Sequence, residues 1–233
     1  MQKQYNDNLF FDERYRGLCV QCHAASPNTN DHVPGRAFLV KPYPNNLHSV
    51  PTCKECNEKT SKNEEYTSFI IKYLKYLECG DNEVLDKFVT DGNQYIENCL
   101  FDSMRVDENL VPFIDIDFER VKQVVTKYAV AHINYEMSKL YDIPDKVNIA
   151  FKSQLSEETI EQFEQVHFDE VIPEIGSRAS MKIIIMPDNF SFSAIQTWNV
   201  VQDGYYRYII DYDTTTRIRI VIGEILFCEV IWE

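Results

Sequence analysis

Apolar residues recur at helical spacing in two long stretches of the chain. The first runs through Tyr66, Phe69, Ile70, Tyr73, Leu74 and Leu77 to Cys79-Gly80, where glycine supplies a stop. The second spans Phe118 to Tyr141, with Val121, Val124, Val125, Tyr128, Ile133 and Leu140 as its expected core stripe. Between them, Val84, Leu85, Phe88 and Val89 lay out a further helical face within 81–102, before Pro112 breaks the pattern. After Pro144 the period changes. Val147 to Phe151 alternates like a strand, and Ser156 to Phe168 reads as a helix led by Ser156 as N-cap. Segments 182–186, 192–201, 205–212, 217–222 and 225–232 are rich in β-branched and aromatic residues. The last four are joined by short turns at Asp203-Gly204, Asp213-Thr214 and Gly223-Glu224, which predicts an antiparallel meander. Trp198, Tyr205, Tyr206 and Trp232 fall within it and read as sheet packing.

Two capping boxes mark helix starts near the N-terminal end. Thr52-Cys-Lys-Glu55 predicts a short helix from Cys53 that carries Asn57 on its second turn. Ser61-Lys-Asn-Glu64 predicts the start of the longer helix. The expected fold is therefore α+β, in three parts with soft limits: an N-terminal unit over 1–80, a helical region over 81–145 and an α+β region over 146–233.

Composition narrows the class. Of 233 residues, 44% are hydrophobic and 26% charged, the profile of a folded chain with a sizeable core. No apolar run approaches the ~18 residues of a membrane span, and the polar start lacks a secretory layout. A soluble, cytoplasmic protein with no membrane partner is expected. Charge is unevenly placed: residues 1–62 carry eight basic and six acidic side chains, whereas 63–233 carry 15 and 31. The C-terminal acidity argues against broad phosphate contact there and fits a protein partner or self-association. It also raises the idea that this acidic part restrains the N-terminal unit through repulsion of nucleic acid.

The cysteines carry the sharpest signal. Four of the seven form two pairs, Cys19-x-x-Cys22 and Cys53-x-x-Cys56, separated by 30 residues. Two such knuckles suit tetrahedral Zn²⁺, each clamping two vertices at about 2.3 Å from the metal. The predicted helix start beside Cys53 favours its thiolate. Cys79, Cys99 and Cys228 are isolated and read as core residues. Between the knuckles lie Asp31-His32-Val-Pro34, Gly35-Arg36 and Asn45-Asn46-Leu47, with Asn57 just after the second.

Two CxxC knuckles around Asp-His-Val-Pro, a downstream Asn-Leu and Cys-Asn after the second knuckle resemble a zinc-stapled HNH endonuclease, over about residues 15–66. The resemblance implies a ββα-metal motif in which Asp31 is a ligand of a catalytic Mg²⁺ or Mn²⁺ and His32 is the general base. It implies that Asn45 or Asn46, with Asn46 preferred, steadies the loop and the base, and that Asn57 is the second metal ligand, an H-N-N pattern. DNA is the favoured substrate, with RNA left open, and the setting implied is prokaryotic defence or a mobile element.

The residue types suit that chemistry independently. Phosphodiester hydrolysis needs a base for the attacking water and a cation for charge on the phosphoryl oxygens. A neutral imidazole serves as base near pH 7. One Asp oxygen and an Asn carbonyl form a sparse hard-oxygen set suited to Mg²⁺ or Mn²⁺. Four cysteines close the zinc shell, so zinc is structural. Arg36 is either a phosphate contact or a solvated loop charge, and His23 and His48 are competing metal ligands. The alternative to an enzyme is a non-catalytic zinc module for protein or nucleic-acid binding. A zinc deaminase is disfavoured because His-x-Glu is absent.

Overall fold

The computed structural model describes residues 14–79, 103–106, 112–166, 177–181, 184–187, 192–195, 197–212 and 215–233, with residues 98, 108, 168–169 and 174 between them. Strand β1 (Thr29–Val33) pairs antiparallel with β2 (His48–Thr52), which sets Asp31 opposite Val50 and His32 opposite Ser49. After the single residue Cys53 the chain enters helix α1 (Lys54–Cys79). The two expected helices are thus one. No Gly or Pro interrupts 53–79, so the local Ser61 signal has nothing to end the preceding helix. Glu64, expected to cap, instead reaches across to Lys127 and Tyr128. The Thr52 box does not form either. Thr52 is buried with its hydroxyl donating to the Val50 carbonyl at 3.4 Å. Asn28 Oδ1 accepts from Lys54 N at 3.0 Å, and Cys53 Sγ accepts from Cys56 N at 3.5 Å.

Within 81–145, expected to be helical, strands β3 (Met104–Val106) and β4 (Pro112–Ile114) form an antiparallel pair. The predicted face at 84–89 lies outside the described residues, as do Cys99 and the Asp213-Thr214 turn. Helix α2 (Phe118–Met137) starts at Asp117, whose side chain accepts from Glu119 N and Arg120 N at 3.1 and 3.3 Å. It stops before Tyr141 because Ser138 turns left-handed at φ +53° and Asn134 Nδ2 donates to the Lys139 carbonyl. Val121, Val124, Val125, Tyr128 and Ile133 are buried as the stripe predicts, and so are Val130, Ala131 and His132. A helix buried nearly all round lies between two layers. Here α1 and the β1–β2 hairpin flank one side of α2, and the C-terminal sheet flanks the other.

That sheet has the order β5-β12-β11-β10-β9, all antiparallel, from β5 (Lys146–Phe151), β9 (Asn199–Gln202), β10 (Tyr206–Tyr212), β11 (Thr216–Ile222) and β12 (Leu226–Trp232). Helix α3 (Glu157–Glu164) follows β5 and is capped by Ser156, as expected. A smaller sheet holds β6 (Phe168–Asp169), β8 (Phe192–Ile195) and β7 (Ile184–Pro187). The 192–201 segment, read as one strand, is therefore split between two sheets at Trp198. Its indole donates to the Glu164 carbonyl at 3.1 Å, while Arg207 and Arg219 lie over the ring at 4.6 and 5.6 Å. Trp198 is packing. Cys228 is buried in the core. The β11–β12 turn places Gly223 and Glu224 at φ +66° and +58°, and Ile225 N donates to the Ile222 carbonyl at 3.1 Å, a type I′ arrangement. A Cβ on Gly223 would stand 2.7 Å from Ile71 Cγ2, so this turn abuts α1. Among the described residues, no helix is long and apolar enough to cross a membrane.

Candidate functional site

The first knuckle is a tight reversal. Cys19 N donates to the Ala24 carbonyl and His23 N to the Cys19 carbonyl, both at 2.8 Å, with His23 left-handed at φ +58°. Val20 N donates to the Pro51 carbonyl at 3.0 Å, which lays this turn against β2. The second knuckle straddles the junction of β2 and α1. The Sγ atoms of Cys19, Cys22, Cys53 and Cys56 all lie within 4.8 Å of one another, and those of Cys22 and Cys53 are 3.8 Å apart. An ideal ZnS₄ tetrahedron with bonds of about 2.3 Å has edges of about 3.8 Å, so these residues can hold a metal such as zinc.

The thiols are unequal. Burial opposes ionisation of Cys19, but N–H groups of Cys53, Cys22 and Gln21 bring it down to about 7. Cys53 N donates directly to Cys19 Sγ at 3.3 Å. Burial pushes the Cys56 thiol up, and its neighbours Cys53 and Cys22 add to that. Four crowded sulfurs with one primed to ionise form a cluster that a divalent cation would favour.

Beyond this cluster, β1 carries Asp31 and His32 as consecutive residues. Successive strand residues leave on opposite faces. Asp31 meets α2: Lys127 Nζ stands 2.5 Å from Asp31 Oδ2 and 2.6 Å from Glu64 Oε1, with side-chain exposures of 3%, 12% and 16% for Lys127, Asp31 and Glu64. The contact to Glu64 is also a hydrogen bond, whereas that to Asp31 is an ion pair. Tyr128 OH donates to the same Glu64 oxygen at 2.9 Å and accepts from Gly35 N at 3.0 Å. Burial, then the Glu64 charge, hold the Tyr128 phenol well above its ordinary range, so it remains a neutral donor. Gln21, inside the first knuckle, donates to the Lys127 carbonyl at 3.2 Å.

His32 faces its own loop. Arg36 Nη2 lies 3.1 Å from His32 Nε2. A guanidinium only donates, so Nε2 accepts and the neutral ring carries its proton on Nδ1. That Nδ1 is buried without a partner among the described residues. Arg36 also lies over the Tyr43 ring at 5.6 Å.

The remaining expected residues are dispersed. Asn57 is half-buried near the start of α1, its N–H donating to the Cys53 carbonyl at 3.0 Å. It is seven residues before Glu64, which places both on one helix face about 10 Å apart along the axis. Asn45 and Asn46 are exposed in the turn before Leu47. His48 stacks on Tyr135 with centroids 3.9 Å apart, and His23 Nδ1 is 3.6 Å from Asp142 Oδ1. Sequence reasoning missed Lys127, Glu64 and the polar end of Tyr128. A signal was present: Lys127 lies inside the mostly apolar run Val124 to Ile133, broken otherwise only by Thr126 and His132, where a lysine is out of place unless paired.

The chain matches no protein-family model, no curated protein and no solved structure.

Proposed function

We propose that this chain is a metal-dependent HNH-type endonuclease whose N-terminal module is stapled by structural zinc. The observation that supports it most is the order of parts: a hairpin and a helix joined at a four-cysteine cluster, with adjacent Asp31 and His32 on the first strand. Cys19, Cys22, Cys53 and Cys56 would hold the zinc, which would fix the junction of hairpin and helix. Asp31 Oδ2 is engaged by Lys127, so Oδ1 would be the oxygen offered to a divalent ion, and Asn57 would supply the second ligand from α1. When bound, Mg²⁺ or Mn²⁺ would neutralise charge on the phosphoryl and leaving oxygens.

His32 is the base. Its Nε2 lone pair is directed at Arg36, so a phosphodiester that draws Arg36 onto its own oxygens frees that lone pair for the proton of the attacking water. Arg36 thus both contacts the substrate and shields the base before it arrives. Asn46 lies in the exposed turn between the strands, where it can steady the loop. DNA is the proposed substrate. A role in prokaryotic defence, with a protein partner or second copy on the acidic C-terminal part, completes the reading.

One observation favours a second reading. The Lys127 ammonium already gives Asp31 a cation, as in a zinc module without catalysis that binds protein or nucleic acid. Incubation of plasmid, linear DNA and RNA with the purified protein, with and without EDTA, separates the two. EDTA-sensitive cleavage that falls by about 10²–10⁴-fold in a zinc-retaining His32→Ala protein is the expected result. Wild-type rates from that variant, or no cleavage by the wild type with Mg²⁺ or Mn²⁺, would reject the nuclease.

A further inference from the structure

Lys127 is hard to explain by packing. It is 3% exposed on a helix where Val124, Tyr128, Val130 and Ala131 beside it are buried, and a Met there would fill the space without losing a hydration shell. Replacing buried ionic groups by apolar ones of similar volume is often neutral or stabilising. Yet its ammonium stands within 2.6 Å of two carboxylates brought from different elements, Asp31 on β1 and Glu64 on α1. Glu64 holds Tyr128 OH, Tyr128 holds Gly35 N, and the next residue, Arg36, contacts His32. The contacts therefore close a circuit that begins at Asp31 and returns to its neighbour His32. Gly35 is committed to that circuit, since a Cβ there would stand 2.5 Å from Tyr128 OH.

We propose that Lys127 is a positioning residue of the nuclease site: from outside the zinc-stapled module, it anchors Asp31 Oδ2 so that Oδ1 faces the divalent metal, and through Glu64 and Tyr128 it sets the loop that carries Arg36 onto His32. The inference rests on the nuclease reading. Carboxylates that ligate metals depend on such outer partners, whose loss costs about 10–100-fold in metal affinity or activity. The site is then completed by α2, not by the hairpin and α1 alone.

The test uses the full-length, zinc-loaded protein and Mn²⁺ itself as probe, its binding read from the loss of the free-ion EPR signal. Wild type is compared with Asp31→Asn, Lys127→Met and Lys127→Arg, with zinc content and circular dichroism reporting the fold. Asp31→Asn should abolish the Mn²⁺ site. Lys127→Met should keep zinc and weaken Mn²⁺ by about 10–100-fold, with a matching rise in the Mn²⁺ needed for half-maximal cleavage, and Lys127→Arg should recover most of the loss. Unchanged or tighter Mn²⁺ binding in a folded Lys127→Met protein overturns the proposal, because the ammonium is then idle or a competitor. If Lys127→Met loses its fold, the wild type decides through lysine ¹⁵Nζ NMR. Added Mg²⁺ should shift a solvent-protected ammonium resonance that Asp31→Asn also shifts, and no such shift overturns the proposal. Failure of the wild type both to bind Mn²⁺ and to cleave rejects the nuclease reading and this inference with it. Binding that is lost in Asp31→Asn but intact in Lys127→Met removes only the role of Lys127.

Discussion

Gly35→Ala is a sharp probe of the circuit because its effect is steric and local. Gly35 has φ −61° and ψ 147°, extended values that alanine adopts freely, so no backbone strain enters. The added methyl carbon would stand 2.5 Å from Tyr128 OH. That oxygen ends a fully buried ring packed edge-on to Phe38 at 5.5 Å and to Tyr206 at 6.2 Å, so it has little room to yield. Forcing a methyl into such a core costs about 1–3 kcal/mol. Loss of the Gly35 N–H bond adds about 1 kcal/mol, and the lower unfolded-state entropy of alanine returns about 0.4–1 kcal/mol. The expected net is roughly 1–3 kcal/mol, or roughly 3–10 °C in Tm for a chain of this size. Urea titration of the zinc-loaded protein by circular dichroism measures it. Tyr128→Phe removes the clashing oxygen, so Gly35→Ala should cost at least about 1 kcal/mol less in that background. Equal costs in the two backgrounds, or a Gly35→Ala protein as stable as wild type, would refute the reasoning.

Three further outcomes are expected. Cys19→Ser and Cys53→Ser should each lose zinc, measured by atomic absorption, and open 14–60 to proteolysis; one retained equivalent with full protection would reject the four-cysteine site. Asp31→Ala should lose cleavage that higher Mn²⁺ partly restores, whereas His32→Ala should not respond to added metal. Wild-type stability should depend on pH through Lys72, which burial brings down to about 8. Between there and the ordinary lysine value the unfolded chain binds more protons, so wild-type stability rises with pH and Lys72→Met flattens that rise; the same rise from pH 7 to pH 10 in both proteins, measured by urea titration, would contradict this.

The features legible in the sequence are those set by near neighbours along the chain. The meander strands alternate β-branched residues and end at glycine turns, and Gly223 and Gly204 do adopt positive φ. The α2 stripe and the Ser156 cap follow from spacing alone. The paired cysteines converge because each knuckle is a local turn, with β1 and β2 needed only to bring them together. Illegible features depend on distant groups. Glu64 reads as a cap residue, and only the approach of α2 makes it a partner of Lys127 and Tyr128. Thr52 reads as an N-cap, but Asn28 and the Cys53 sulfur supply the acceptors. Trp198 interrupts a run that looks continuous because Arg207, Arg219 and the Glu164 carbonyl claim its ring and N–H.

The contacts of α2 also bear on the proposed restraint by the acidic C-terminal part. A restraint that releases on partner binding would need a part able to swing away from the N-terminal module. Helix α2, however, is tied to both. Gln21, Asp31 and Glu64 hold it on one side. On the other, His132 Nε2 pairs with Tyr206 OH at 2.9 Å, and Tyr208 OH donates to Glu136 Oε1 at 2.5 Å, all four residues buried. Separating the layers would leave those groups without partners, at about 1–3 kcal/mol for each buried polar group. Part of the acidic excess is also matched internally, by Arg207 with Glu164 and Glu224 and by Arg217 and Arg219 with Asp211. A restraint by this part would therefore be a standing field fixed relative to the N-terminal module. It weakens with salt over a Debye length of about 8–10 Å rather than with a change of shape, so ionic strength and not a hinge should govern it.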